Sequence, residues 1–188
     1  MSIEANRKFT FKGVNHIALV CRDMAETVHF YRDILGMPLI KAFDLPRNMG
    51  QHFFFDCGNG DAIAFFWFSG APERQPGINV PLDMPTRGPF VTAHGSMNHL
   101  ALNVDPDHFE ECHRRLIAAG IDVTPILNHD HSETQVTDDM TDDVYVRSIY
   151  FRDPDGILLE IATWTRQPDG GPDDILTEPF TADTVLAG

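Results

Sequence analysis

The sequence lacks the features that mark several large classes of protein. Only three of its 188 residues are cysteines, an odd number set far apart in apolar segments, so we expect core thiols in a reducing compartment rather than a disulfide framework. It has no hydrophobic run of membrane-spanning length and no signal-peptide core at its amino terminus, which predicts a cytoplasmic protein without a membrane partner. Basic residues are few: 14 Lys and Arg against 28 Asp and Glu give a net charge of −14, which disfavours nucleic acid as a partner.

The chain does contain enough apolar material for one packed domain, since 43% of its residues are hydrophobic. Residues 14–21 have the pattern of a strand, and a helix follows that is capped by Asp23 and ended by Gly36. Three further strands are then predicted, near 38–44, 51–56 and 62–68. The resulting order is β-α-β-β-β.

The same order of elements is predicted a second time, after an irregular connection rich in Pro and Gly. The strand Asn98-His99-Leu100-Ala101-Leu102 matches Asn15-His16-Ile17-Ala18-Leu19, with an offset of 83 residues between the two histidines. A second helix begins after Asp105 and ends at Gly120, and three strands are predicted near 122–127, 144–152 and 157–164. Two copies of one unit usually stack, so equivalent residues should meet near a pseudo-twofold axis.

We therefore predict an α+β fold in which two βαβββ modules form a curved mixed sheet around a cleft. A single domain is expected over residues 1–188, of which 1–10 form a short arm. Its parts are module one (12–69), the connection (70–96), module two (97–165) and a C-terminal arm (166–188). The C-terminal arm is rich in Pro, Gly and Asp; it should pack on the body or on a neighbouring subunit, with disorder as the alternative.

Three side chains of the two modules have the chemistry of metal ligands. His16 and His99 occupy matching strand positions, and side chains alternate along a strand, so both should face the space between the modules. Glu160 is set in the apolar run 157–164, where an unpaired carboxylate would cost on the order of several kcal/mol, so a positive group should face it. Two imidazoles and one carboxylate form the facial triad of non-haem Fe(II) oxygenases. A strand histidine is more often an ordinary core residue, and Arg or water can also satisfy a carboxylate, but the repeat favours the metal.

These motifs resemble the vicinal oxygen chelate superfamily, to which glyoxalase I, fosfomycin-resistance proteins, methylmalonyl-CoA epimerase and type I extradiol dioxygenases belong. The resemblance covers roughly residues 12–165. It rests on the paired Asn-His strands, on Phe30-Tyr31-Arg32-Asp33-Ile34-Leu35-Gly36, and on Tyr150-Phe151-Arg152-Asp153-Pro154-Asp155-Gly156 followed by Glu160. It implies that His16, His99 and Glu160 hold the metal of a cleft between the modules.

Within the superfamily, the residues favour a site with three protein ligands. Glyoxalase I and the epimerase carry a further Glu or Gln on the last strand of the first unit. Alignment of Gly60 with Gly156 puts Ala64 opposite Glu160 at that position, with Phe66 next on the face, and neither side chain binds a metal. Extradiol dioxygenases use three ligands. The fosfomycin-resistance enzymes do so too, but they are shorter, and their cation-binding loop is not evident in this sequence.

The resemblance also implies further roles around the metal. Tyr150 stands where extradiol enzymes carry a tyrosine that hydrogen-bonds the substrate. His129 and His131 stand where those enzymes carry a histidine, although an inserted loop separates them from Tyr150 and a surface position is the alternative. The acid/base histidine of the larger enzymes is replaced by Asp61. Proton transfer would therefore fall to Asp61, His94 or His131, or the reaction is not catechol cleavage.

As a whole, the resemblance implies an Fe(II)-dependent extradiol ring-cleaving dioxygenase similar to the biphenyl-2,3-diol 1,2-dioxygenase group. Its small-molecule partners would be a catechol-type aromatic diol and O₂, and a homodimer or higher homo-oligomer is expected. The first alternative is an isomerase, lyase or thiol transferase of the glyoxalase or fosfomycin-resistance kind that uses the same triad with Mn(II), Zn(II) or Ni(II). The second is a metal-free binding protein, against which the presence of all three ligands argues.

Overall fold

The computed structural model describes residues 11–184, so the predicted amino-terminal arm and the last four residues of the C-terminal arm lie outside the described residues. Module one has the predicted order, with two short helical turns added to it. Its elements are β1 (His16–Cys21), α1 (Met24–Val28), a π-helical turn (His29–Ile34), β2 (Leu39–Asp44), a 3-10 turn (Pro46–Asn48), β3 (Gly50–Gly58) and β4 (Asp61–Phe68).

Module two repeats the order with one shifted strand. Its elements are β5 (Leu100–Asn103), α2 (Pro106–Ala118), β6 (Leu127–His129), β7 (Val146–Arg152) and β8 (Leu158–Trp164). The strand predicted near 122–127 is wrong in position, since that segment makes only an isolated bridge, from Val123. It contains Pro125, which has no amide hydrogen to donate to a strand ladder. None of the helices in the described range has the length and apolar character needed to cross a membrane.

The modules build two separate four-stranded mixed sheets, in the orders β1-β4-β3-β2 and β5-β8-β7-β6. In each sheet the first strand of the module lies parallel to the last, and the last lies antiparallel to the third. The α+β fold with two βαβββ modules is confirmed. One continuous sheet is not formed, because among the described residues no strand of the first sheet pairs with a strand of the second.

A shared apolar core joins the two sheets instead. Leu19 and Cys21 of β1 pack into it from one side, and Leu100 and Leu102 of β5 pack into it from the other module. Burial raises the pKa of the Cys21 thiol to about 11, as expected for an inert core cysteine. Because side chains alternate along a strand, the two Asn-His histidines lie on the sheet faces turned away from this core.

The first helix widens into its π-helical turn, where Leu35 N donates to Phe30 O over 3.0 Å. Two consecutive residues of this turn, Phe30 and Tyr31, are both buried. The Tyr31 hydroxyl then donates to the Asp153 carboxylate of module two at 3.2 Å. The turn therefore links the two modules.

The C-terminal arm, described as far as residue 184, has a local turn of its own. An ion pair of 2.8 Å joins Arg166 to Asp174 across this turn. Ile175, Leu176 and Phe180 are 66%, 63% and 71% exposed, so these apolar side chains do not pack on the body of the same chain. Contact with a neighbouring subunit stays a prediction.

Candidate metal centre

Strand pairing places equivalent residues of the two modules at equivalent positions in the two sheets. Ala18 pairs with Ala64 in the first sheet, and Ala101 pairs with Glu160 in the second. The prediction that Ala64 occupies the position of Glu160 is confirmed by this register. Module one therefore offers one histidine to a metal, whereas module two offers a histidine and a carboxylate.

The histidine and the carboxylate of module two are in contact. Nε2 of His99 lies 3.0 Å from Oε2 of Glu160, whose side chain is 8% exposed. The second carboxylate oxygen, Oε1, accepts a hydrogen bond from the Ser148 hydroxyl. Burial acts to raise the pKa of Glu160, but the hydrogen bonds from His99 and Ser148 outweigh it and hold that pKa below its ordinary value. The carboxylate therefore stays ionised at neutral pH.

The other ring nitrogen of His99 is already engaged, because Nδ1 lies 2.9 Å from Oδ1 of Asn98. This contact places a ring hydrogen on Nδ1, so Nε2 meets the carboxylate oxygen either with a hydrogen of its own or with a lone pair. Two acceptors 3.0 Å apart require a positive charge between them, either a proton or a metal cation. An imidazole nitrogen beside a carboxylate is also a donor set that first-row divalent metals accept. The residues present therefore fit a divalent metal.

His16 has a similar arrangement in module one but stands apart from the pair. Its Nδ1 lies 2.7 Å from Oδ1 of Asn15, and its exposed ring packs edge-on against Phe54 at 5.5 Å between centroids. Over residues 11–184, no three His, Cys, Asp or Glu side chains come together in a way that could hold a metal. One chain thus brings His99 and Glu160 together without His16.

Aromatic rings continue from His16 across its sheet. Phe54 contacts the ring of His52 at 4.3 Å, and His52 stacks on Phe66 with 3.6 Å between centroids and 2° between planes. His52 was not assigned from the sequence, since only the strand register shows that it shares a face with His16. We call this surface the aromatic face; it consists of Phe43, His52, Phe54, Phe66 and Phe68.

Tyr150 lies beside the His99–Glu160 pair. It is directly opposite Glu160 in the β7–β8 ladder, and its ring centroid is 5.7 Å from that of His99. Burial, followed by the neighbouring Glu160 charge, raises the pKa of Tyr150 far above its ordinary value. Tyr150 is therefore a neutral phenol that can donate a hydrogen bond at this place.

Asp61 is not brought to the same place. It begins β4 on the strand face that also carries Ile63 and Phe65, both of which pack into the shared core. Alternation along the strand therefore turns Asp61 away from the face of His16. The sequence alignment gave its position along the strand, but only the register shows its side.

The three other histidines considered from the sequence lie on the second module's edge or in the connection. His131 is exposed and stacks on Tyr145, with ring centroids 4.9 Å apart. His129 is the last residue of β6 and pairs with Val146. His94 is exposed in the connection. The structure assigns none of them to the His99–Glu160 pair.

Two polar residues beside the pair were not assigned from the sequence. Asn98 could have been identified from the sequence, because an asparagine precedes the histidine in both modules. Ser148 stands two residues before Tyr150 and therefore shares its strand face. Its contact with Glu160 depends on the register of β7 and β8, which the sequence does not determine.

Residues 13–161 match the sequence model of the Glyoxalase/Bleomycin resistance protein/Dioxygenase superfamily. The chain belongs to this superfamily. The predicted membership of the vicinal oxygen chelate group is thereby confirmed, whereas its extradiol subgroup is not singled out. The superfamily includes enzymes of more than one reaction class, since two proteins similar to this chain are named as a thiol transferase and as a putative ring-cleaving dioxygenase.

Three similar proteins show this range within the superfamily. The metallothiol transferase FosB of Shouchella clausii (strain KSM-K16) is 26% identical over 154 residues, which is 81% of each chain. The putative ring-cleaving dioxygenase MhqE of Bacillus subtilis (strain 168) is 35% identical over 72 residues, 35% of this chain and 23% of that one. The fosfomycin resistance protein FosX of Listeria monocytogenes, solved with Mn(II) and sulfate, has a TM-score of 0.51 and 21% identity over 83% of this chain and 95% of that one.

Proposed function

We propose that the protein is a divalent-metal-dependent enzyme whose cation is held by His16, His99 and Glu160. The observation that carries this proposal is the 3.0 Å contact between Nε2 of His99 and Oε2 of Glu160, because two such atoms hold a cation between them, a proton or, in this proposal, a metal. The Mn(II) of the FosX structure supports the same class of cation. Two histidines and one carboxylate also suit Fe(II), with Zn(II) and Ni(II) as further options.

In this proposal a second copy of the chain supplies His16 to the His99–Glu160 pair. His16 does not join the pair within residues 11–184 of one chain, and Val14 and Val20 on its sheet face are 50% and 48% exposed. Proteins of this fold commonly form homodimers. A twofold axis that set His16 of one subunit against the pair of the other would create two identical sites.

The chain's own residues would hold and complete such a centre. Ser148 keeps Glu160 in one orientation, and Asn98 directs Nε2 of His99 outward. Tyr150 would donate a hydrogen bond from its neutral phenol to an oxygen of the bound substrate. When bound, the cation would act as a Lewis acid on that substrate oxygen.

The reaction that the comparisons support best is thiol transfer, the activity that the name of the metallothiol transferase FosB gives, and we take a small electrophile as the acceptor. FosB matches over 81% of both chains, whereas the ring-cleaving relative matches 35% of this one. In such a reaction the sulfur of a thiolate bonds to carbon while a carbon–oxygen bond breaks, and the released oxygen takes up a proton. Tyr150 is the neutral donor beside the pair that can stabilise this oxygen.

Extradiol cleavage of a catechol-type diol with Fe(II) and O₂ is the second candidate. Two observations favour it: the place of Tyr150 next to His99 and Glu160, and the aromatic face that extends from His16 and suits a flat ring. The identity with MhqE over 72 residues agrees with this candidate. Dependence on O₂ separates it from thiol transfer.

Assays of the metal-loaded full chain distinguish the two candidates. For thiol transfer, we expect the Mn(II)-loaded protein to consume cysteine with fosfomycin in the absence of O₂. For ring cleavage, we expect the Fe(II)-loaded protein to take up O₂ with catechols and form a yellow product. Either activity should be lost in Glu160→Gln and kept in Glu133→Gln, which changes an exposed loop residue. Full activity of Glu160→Gln would overturn the proposed function.

A further inference from the structure

Asn98 lies between the candidate ligand His99 and the connection that joins the modules. Its Oδ1 is 2.9 Å from Nδ1 of His99. Its Nδ2 donates to the backbone carbonyl of Phe90 at 2.6 Å and lies 3.4 Å from the Thr92 hydroxyl. Phe90 and Thr92 belong to the connection, so a single amide touches both a ligand and a segment outside the two modules.

The contact with Phe90 determines how the Asn98 amide is oriented. A backbone carbonyl only accepts hydrogen bonds, so the amide nitrogen must face Phe90 and the amide oxygen must face His99. An amide oxygen also only accepts, so Nδ1 of His99 must carry the hydrogen. Nε2, the nitrogen that faces Glu160, is then the one available to a cation.

We infer that Asn98 is a positioning residue that keeps a hydrogen on Nδ1 of His99 and thereby leaves Nε2 to face Glu160, and that the connection holds Asn98 in the orientation this requires. The inference rests on the proposed function for the purpose of this contact, but the hydrogen on Nδ1 is expected in the metal-free protein as well, where a proton lies between Nε2 and Glu160. Asn15 makes the same side-chain contact with His16, at 2.7 Å, which shows that the arrangement recurs in the repeat. The hydrogen bond from Asn98 to the Phe90 carbonyl is the additional contact, and it ties Asn98 to the connection.

Three substitutions separate these two contacts. Asn98→Leu removes both contacts. Asn98→Asp keeps an acceptor toward His99 but puts a second oxygen, which cannot donate, toward Phe90. Asn103→Leu is the matched control, because it makes the same asparagine-to-leucine change at a different place, the last residue of β5.

The measurements use the full chain labelled with ¹⁵N and freed of metal. Long-range ¹⁵N–¹H spectra show whether Nδ1 of His99 bears a hydrogen. Hydrogen exchange of the Ala93 amide, which donates to Ile78 O at 2.9 Å, reports the order of the connection. Mn(II) affinity is measured separately by titration.

We expect a hydrogen on Nδ1 of His99 in wild type, Asn103→Leu and Asn98→Asp, and its loss in Asn98→Leu together with about 10- to 100-fold weaker Mn(II) binding. Ala93 should exchange faster than wild type in Asn98→Asp. Absence of a hydrogen on Nδ1 in wild type, or its retention in Asn98→Leu, would overturn the inference. If Asn98→Leu does not fold, Asn98→Asp decides, and unchanged Ala93 exchange contradicts the inference. If wild type binds no Mn(II) but the hydrogen on Nδ1 of His99 depends on Asn98, the proposed function fails and the inference stands.

Discussion

Glu160 shows how one buried charge determines the chemistry around it. Its place in an apolar strand leads to the expectation, from sequence alone, that a positive group or a set of hydrogen-bond donors faces it. The structure supplies His99 at one carboxylate oxygen and the Ser148 hydroxyl at the other. The histidine was predictable because the internal repeat points to it. The serine was not, because its contact depends on which residues of β7 and β8 are opposite each other.

Asp153 is a second buried carboxylate, and its protonation makes the stability of the protein depend on pH. Its oxygens accept hydrogen bonds from the amides of Asp155 and Ile157 and from the Tyr31 hydroxyl. Burial exceeds the effect of these bonds and raises the pKa of Asp153 to about 7. Because an unfolded Asp titrates near pH ~4, the folded protein binds the extra proton between those two values. The stability associated with this residue is therefore present below pH ~4 and lost as the pH rises through about 7.

We expect Asp153→Asn to remove this pH dependence, because a neutral amide keeps an oxygen for the two backbone amides. Between pH ~4 and ~7 the wild type should lose free energy of unfolding on the order of a few kcal/mol relative to the variant. Urea unfolding at a series of pH values measures the difference. Asp139→Asn, at an exposed loop residue, is the control and should follow the wild type. Identical pH profiles for wild type and Asp153→Asn would show that Asp153 is not the source.

At the scale of single elements, the approach of β3 to β4 depends on Gly50. This residue has a φ of +150°, and a Cβ placed on it would lie 1.8 Å from the carbonyl oxygen of Trp67. Only glycine therefore fits at the start of β3 without moving the backbone of its neighbour. The strand pairing that carries Phe54 and His52 of the aromatic face begins at this contact.

Gly50→Ala should lower the free energy of unfolding by more than about 3 kcal/mol, because strand β3 must shift away from β4. Gly60→Ala is the matched control: its φ is +84°, but a Cβ there meets nothing within 4 Å. We expect the control to cost about 1 kcal/mol, the penalty of a left-handed conformation alone. Chemical denaturation of both variants gives the comparison. Equal losses would contradict a close approach at Gly50.

Elements with a regular pattern were predictable, and irregular ones were not. The strands β2, β3, β4, β7 and β8 lie close to their predicted positions because turn residues and apolar runs bound them. The π-helical turn was missed because the apolar spacing between Asp23 and Gly36 is close to that of an ordinary helix. The β6 strand begins later than predicted because Pro125 interrupts the ladder.

At the scale of the whole molecule, the repeat predicted the paired modules but not the arrangement of the ligands. Matching positions of His16 and His99 fit a cleft within one chain and a cleft between two chains equally well. The two sheets of one chain stay separate and join through a core on the faces opposite to these histidines. For this reason the proposed centre takes His16 from one subunit and the His99–Glu160 pair from the other.

The most direct test of this centre is Mn(II) binding, followed by electron paramagnetic resonance, to wild type, His16→Ala, Glu160→Ala and a co-expressed equal mixture of the two variants. We expect one ion per chain in wild type and none in either variant alone. The mixture should recover about a quarter of the wild-type sites, because half of the dimers are mixed and each has one site with all three ligands. Binding by either variant alone, or no binding by the mixture, would contradict a centre shared between two subunits.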